Sequence, residues 1–185
     1  ISEAQAAWIA DQFTSVSVSH DGPPDIHNVQ RPTLDGRPSL AIVERTIQTL
    51  QGRSSHFYVR TTLLPGQVGR QQEIVEYLYE RLQVTSIHIE PAYPLWDQGA
   101  VGFRPSDAEG FIEHFLQART WAGRHDVAVS FSGLRMQELH GPYCNVLRHT
   151  LHLIPEDVAG ACPFTPDKNR AMEANTVVGH YDRSS

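Results

Sequence analysis

Ser19 closes a β-rich run, "TSVSVS" (residues 14–19), and Asp21-Gly22-Pro23-Pro24 follow almost at once. A hydroxyl at a strand end can bond a ligand held there, or bond its own loop. In a turn, Asp accepts backbone N–H groups, Gly permits positive φ and proline stiffens the exit. Asp21 is therefore expected to fix the loop. His27 and Arg31 can tie down the same loop, or the Arg31 guanidinium can grip a carboxylate with two parallel bonds. Arg60 lies inside the apolar run "HFYVRTTLL" (56–64), where a charge must be paired or face a cavity. Alternation puts Arg60 on one face with Tyr58 and Thr62. It either reaches an anionic ligand or pairs with an acid such as Glu90. Glu90 precedes Pro91 in "TSIHIEP" (85–91). A carboxylate there anchors the loop, contacts a ligand or accepts a proton. Tyr93, Trp96 and Asp97 follow in the loop beyond and could meet substrate.

Metal chemistry has fewer supports. Cys144 and Cys162 are the only two cysteines. Iron–sulfur clusters favour thiolates, usually four for a [4Fe–4S] centre, and two fall short of that count. The two are either half of a site completed elsewhere or ordinary free thiols. His149-x-x-His152 invites zinc, but on a strand residues i and i+3 point to opposite faces, so the pair is a poor start for a zinc site.

These side chains need elements to position them. At 185 residues the chain suits one domain, or one domain and the start of another. Hydrophobic residues at 40% favour folding over disorder. A formal charge of −6 and a pI near 5.9 argue against a nucleic-acid or anionic-membrane surface. No apolar run is long enough to span a bilayer and no signal-peptide core opens the chain. Two cysteines make no disulfide framework, so a reduced, cytoplasmic setting is the default.

Ser2 with Gln5 forms a candidate capping box, and Trp8, Ile9 and Phe13 fit a short helix. Loop residues run from the first strand to Pro38, and Ser39 is a candidate N-cap. Leu40, Val43, Ile47 and Leu50 form a helical stripe ending near Gly52. Ile74, Val75, Leu78 and Leu82 mark the next helix. Ser106 with Glu109 suggests a second capping box, before a face of Phe111, Ile112, Phe115 and Leu116. "DVAVSFS" (126–132) is a fourth strand. Single strands alternating with amphipathic helices predict parallel β/α units. Chemistry in such folds gathers at the strands' C-terminal ends. After Gly133 the rhythm changes. "LRHTLHLIPEDVAGACPF" predicts a hairpin turning at Pro155-Glu156-Asp157, and "NTVVGHYD" (175–182) another short strand. The expected fold class is α/β: a partial parallel (β/α) barrel over 1–133, then a small β-hairpin extension over 134–185.

"SHDGPPDIHNVQR" resembles the S-L-D-G-P-P-E-I-H-D-x-x-R segment of radical S-adenosylmethionine (radical SAM) enzymes, in the branch with a SPASM or twitch extension. "LDGRPSLAIVERTIQTL" is similar to that family's G-x-x-S-F-x-x-V-x-x-x-I-x-x-L. "VRTTLLPGQVGRQQEIVEYLYERLQVTSIHIEP" resembles its next strand, helix and strand. "YCNVLRHTLHLIPEDVAGACPF" resembles the start of the extension, with two cysteines around a hairpin. The family's C-x-x-x-C-x-x-C motif is missing, as is its Gly-Gly-Glu-type segment, so the chain is expected to begin mid-barrel. Asp157 stands where the family's turn usually has Gly, and 17 residues separate Cys144 from Cys162.

The resemblance implies an intact enzyme in which a [4Fe–4S] cluster cleaves S-adenosylmethionine reductively and a 5′-deoxyadenosyl radical takes hydrogen from a peptide or protein substrate. It implies Ser19 at the cofactor's carboxylate; from their own chemistry, Asp21, Arg31 and Arg60 are expected on the cofactor side. Glu90 would be the catalytic group, and Cys144 and Cys162 part of an auxiliary metal site. This chain alone is expected to hold no cofactor stably, to be inactive, and to offer a raw sheet edge for a homodimer. Two other readings stand beside it: a cofactor-free α/β binding module, and a barrel hydrolase using Glu90 and Asp97 with a divalent ion.

Overall fold

The computed structural model describes residues 1–53, 55–92, 102–133, 151–162, 165 and 167–182. The chain divides into two compact units, Ile1–Phe131 and Ser132–Ser185.

The first unit holds helix α1 (Glu3–Gln12), strand β1 (Val16–Ser19), α2 (Pro24–Gln30), α3 (Leu40–Gly52), β2 (Phe57–Leu63), α4 (Gln71–Leu82), β3 (Ser86–Pro91), α5 (Ala108–Gly123) and β4 (Ala128–Ser130). The four strands lie in the order β1-β2-β3-β4, each parallel to its neighbour. That is the expected partial barrel sheet. Parallel neighbours need a crossover, and α3, α4 and α5 supply the three.

Only one face of the sheet is dry. Val18, Val59, Thr61, Leu63, Ile87, Ile89 and Val129 are buried on it. The helices bury Ile47 and Leu50 from α3, Ile74, Val75, Leu78 and Leu82 from α4, and Phe111, Phe115, Ala118 and Ala122 from α5. Each large aliphatic so buried contributes roughly 1.5–3 kcal/mol. The intervening strand residues Ser17, Ser19, Arg60 and Ser130 are exposed, and Tyr58, Thr62 and His88 are half-buried. The strands therefore pin a polar face opposite the helices.

Several local expectations hold. Ser2 and Gln5 form the capping box: Gln5 N donates to Ser2 Oγ at 3.2 Å and Ser2 N to Gln5 Oε1 at 2.8 Å. Other expectations are corrected. Residues 24–30 are helix rather than loop, with Pro24 in the first turn, where its missing N–H costs nothing. Ser39 is the N-cap residue of α3, as expected, but its side chain makes no capping bond; Leu40 N donates to Asn28 Oδ1 at 3.0 Å. A 3-10 turn, Pro105–Asp107, precedes α5, and Asp107 rather than Ser106 is its N-cap residue. Ile112 and Leu116 are 40% and 49% exposed, because α5 turns Ala118 and Ala122 inward with Phe111 and Phe115. Trp8 and Phe13 are likewise exposed, and Ala6 is what α1 buries.

The second unit pairs β5 (His152–Ile154), β6 (Val158–Gly160) and β7 (Val177–His180) antiparallel in that order, with α6 (Lys168–Glu173) beside them in sequence. The hairpin turns at residues 155–157 as expected. Glu156 and Asp157 take φ of 68° and 62°. Glycine would reach that region without strain. Ile154, Val158 and Ala171 form its small core, with Val177 against it. Helix α6 was not foreseen; Asp167 caps it, accepting from Arg170 N at 3.0 Å.

Candidate functional site

Strand β1 ends at Ser19, and the ladder continues past it by other means. His20 N donates to Arg60 O at 3.0 Å, and Thr61 Oγ1 donates to His20 O at 2.8 Å. Beyond that point a side chain stands in for backbone. The buried Asp21 carboxylate accepts from Thr62 N at 2.9 Å. Arg31 closes on the same carboxylate, with Nε 2.6 Å from Oδ2 and Nη2 3.1 Å from Oδ1. Its Nη2 also lies 3.3 Å from Thr62 Oγ1. A two-pronged, largely desolvated pair of this kind fixes orientation as well as charge.

Two buried histidines finish the lock. His27 Nδ1 accepts from Asp21 N at 3.1 Å, and His20 Nδ1 accepts from Gly22 N at 3.0 Å. An imidazole nitrogen accepts only when it carries no proton, so both rings are neutral and protonated on Nε2. His27 Nε2 then donates to Ser39 Oγ at 3.1 Å, and Ser39 Oγ donates to Arg31 O. The rings lie tilted at 50° to each other with centroids 4.6 Å apart. Burial, together with the neighbouring His27 ring and the Arg31 charge, pushes His20 down to about 3. Burial lowers His27 too, against the opposing pull of Asp21. Gly22 has φ +90° and lies so near α4 that a Cβ there would meet Ile74 side-chain atoms at 3.0 Å.

What this lock positions is a row across the open face. The register pairs Ser19 with Arg60, Arg60 with His88, and His88 with Ser130. In-register neighbours in a sheet are roughly 4.8 Å apart, so four polar side chains stand abreast. One residue pair further along, Thr62 is level with Glu90. His88 Nε2 lies 2.5 Å from Glu90 Oε1, and His88 Nδ1 lies 3.0 Å from Ser130 Oγ. Arg60 is exposed and makes no ion pair with Glu90 or any other acid among the described residues. A hydroxyl and a free guanidinium side by side are a donor set for a carboxylate or phosphate. A cavity of about 350 Å³ beside the row is lined by Asp21, Gln30, Arg31, Thr62 and Leu64.

No family model matches this chain, and no curated protein matches it. Solved structures do. Native anSMEcpe with bound AdoMet (S-adenosylmethionine) matches with a TM-score of 0.70 at 16% identity, over 97% of this chain and 50% of that one. Native anSMEcpe with bound AdoMet and Cp18Cys peptide matches with a TM-score of 0.67 at 17% identity, over 89% and 49%. With Kp18Cys peptide the values are 0.69 and 16%, over 97% and 51%. The chain shares its fold with these structures. It spans about half the length of the solved structures it matches.

Within that fold the expected residues separate by position. Ser19 and Arg60 share the open row. Asp21 and Arg31 meet each other behind it, Asp21 fully covered and Arg31 partly exposed toward the cavity. Glu90 is 5% exposed and is held by His88. Cys162 is a half-buried free thiol. Cys144, His149, Tyr93, Trp96 and Asp97 lie outside the described residues. Among the described residues no group of three His, Cys, Asp or Glu side chains could hold a metal ion. No helix is long and apolar enough to cross a membrane among them. His88 went unremarked in the sequence. The signal was there: His88 and Glu90 are two apart on a strand and so share a face.

Proposed function

We propose that this chain is part of a radical SAM enzyme and that its open sheet face holds the polar end of S-adenosylmethionine. The observation that carries the reading is the pairing of Ser19 with an exposed Arg60, which has no acid partner among the described residues, on the face of a parallel sheet opposite the helices, in a fold shared with an AdoMet-bound enzyme. Ser19 donates its hydroxyl to the cofactor's carboxylate and Arg60 neutralises it. Asp21 and Arg31 act one step back, holding the β1 end still so that the Ser19 hydroxyl keeps its aim. Glu90 works at the proton-handling side of the same face. When bound, S-adenosylmethionine supplies hydrogen-atom abstraction, and the protein supplies binding and orientation.

The residues present do not fit the cluster. The chain has two cysteines, against the four thiolates usual for [4Fe–4S]. Its ligands belong to residues outside this chain, and the chain alone is inactive. Residues 134–185 begin a SPASM- or twitch-like extension, with Cys144 and Cys162 as partial ligands of an auxiliary site. The substrate is a peptide or protein; two of the structural neighbours hold peptides. β1 and β4 each pair on one side only among the described strands, which leaves an edge for a second copy.

The test is S-adenosylmethionine affinity of the complete gene product, reconstituted anaerobically. Hydrogen bonds to charged groups contribute about 1.5–3 kcal/mol, so Arg60→Ala weakens binding roughly 10- to 100-fold. Ser19→Ala weakens it by less. Equal affinity in wild type and both variants overturns the assignment.

A further inference from the structure

The geometry points to His88 as the proton-accepting group of the open face, with Glu90 positioning it and Ser130 as the hydroxyl that relays the proton. The inference rests on the reading of this face as the ligand site. Glu90 is poorly placed to meet a ligand itself: its side chain is 7% exposed, against 26% for His88. Its Oε1 is 2.5 Å from His88 Nε2. A carboxylate only accepts, so the hydrogen between them belongs to the imidazole. A neutral ring then has its lone pair on Nδ1, which faces Ser130 Oγ at 3.0 Å. Ser130 donates its O–H to that nitrogen. Ser130 is exposed and is the last residue of β4, at the end of the sheet where chemistry gathers in parallel β/α folds.

Carboxylate, imidazole and hydroxyl in that order form a relay recognised by geometry and role rather than by sequence position. Here it moves a proton from a protic ligand group, a hydroxyl or amine X–H, hydrogen-bonded to Ser130 Oγ. The X–H bond breaks and the proton passes to Oγ. Ser130's own proton passes to His88 Nδ1. The products are the ligand conjugate base, an intact Ser130 hydroxyl and an imidazolium whose new charge faces the Glu90 carboxylate. No electrons change hands. Arg60 is the neighbour of His88 on the other side of the row, so a conjugate base formed there lies near a cation. His88 is the catalytic residue, since the proton ends on it. Glu90 acts through His88 and is a positioning residue.

The test reads the tautomer directly. In the full chain, labelled with ¹⁵N-histidine, long-range ¹H–¹⁵N spectra near neutral pH should show His88 with its proton on Nε2. Ser130→Ala should shift the Nδ1 resonance and leave the tautomer alone. Glu90→Gln presents an amide that can donate to Nε2, and should turn the ring to the Nδ1–H form, which removes the acceptor facing Ser130. In the complete gene product, Glu90→Gln and His88→Gln should lower kcat roughly 10²- to 10⁴-fold with little change in cofactor affinity. Ser130→Ala, an exposed change that spares folding, should lower kcat about tenfold. A wild-type Nδ1–H tautomer, a tautomer indifferent to Glu90→Gln, or an unchanged kcat in the Ser130 variant overturns the relay. Those outcomes leave the Ser19–Arg60 reading standing if cofactor affinity still depends on Arg60. Loss of that dependence with the tautomer as expected sinks the cofactor reading alone.

Discussion

Acid should destabilise the fold through the buried histidines after β1 well before it titrates the carboxylates. His20 and His27 hold Gly22 N and Asp21 N through Nδ1, and protonating either ring converts that acceptor into a donor facing an N–H. His20 is fully buried, with its folded value held near 3 against an ordinary 6.5. In the unfolded chain the ring takes a proton as the pH drops below about 6.5, while the folded ring refuses it until about 3. The unfolded state thus binds more protons in that window, and stability falls as pH falls. Above about 6.5 both states are neutral and the full stability is present. From about pH 7 to pH 5, His20 alone accounts for a loss of about 2 kcal/mol. His27 adds to the loss in the same direction. Asp25, Asp35 and Glu73 are also held low, by hydrogen bonds from Arg70, Thr33 and Arg70 in turn. Their contributions fade only at lower pH, as carboxylates begin to protonate. The assay is urea unfolding at the two pH values, followed through resolved β1 and β2 amide resonances. His20→Asn keeps an oxygen acceptor for Gly22 N and cannot gain a proton, so it should cut the pH-dependent loss by about 2 kcal/mol. A wild-type loss under about 0.5 kcal/mol, or the same loss in the variant, refutes the reasoning.

The same lock carries two further predictions. Gly22→Ala puts a Cβ at positive φ and against Ile74, and should cost about 1–3 kcal/mol in urea unfolding; neutrality would mean the turn is not held as described. Arg31→Ala leaves the buried Asp21 carboxylate with Thr62 N but no cation. With Arg31 a third exposed, the cost is discounted to about 2–3 kcal/mol, and Asp21→Asn in the same background should recover part of it.

The alternation of polar and apolar residues made the strands legible: Val59, Thr61 and Leu63 against Tyr58, Arg60 and Thr62 already divides β2 into a covered and an open face. The helices α3 and α4 were legible for the matching reason, since their apolar residues fall at helical spacing. What stayed hidden depends on contacts distant in sequence. The partner of Asp21 was narrowed to its own loop, but its bond to Thr62 N spans 41 residues. His20 gave no sign of burial, because nothing local says that it sits against His27 and Tyr77. The pairing of His88 with Ser130 needs the β3–β4 register, 42 residues apart. Helix α2 was misread because two prolines suggest a loop, although proline in a first turn is also a start signal.

The central claim is that the uncovered face of the sheet is the cofactor's seat. Amide spectra of this chain during titration with S-adenosylmethionine test it most directly. Weak binding suffices, at about 1 mM or roughly −4 kcal/mol. The account predicts shifts concentrated at residues 17–21, 58–62, 88–90 and 128–130. Shifts confined to residues 151–182 or to α4 and α5, or no shift at saturating cofactor, would contradict it.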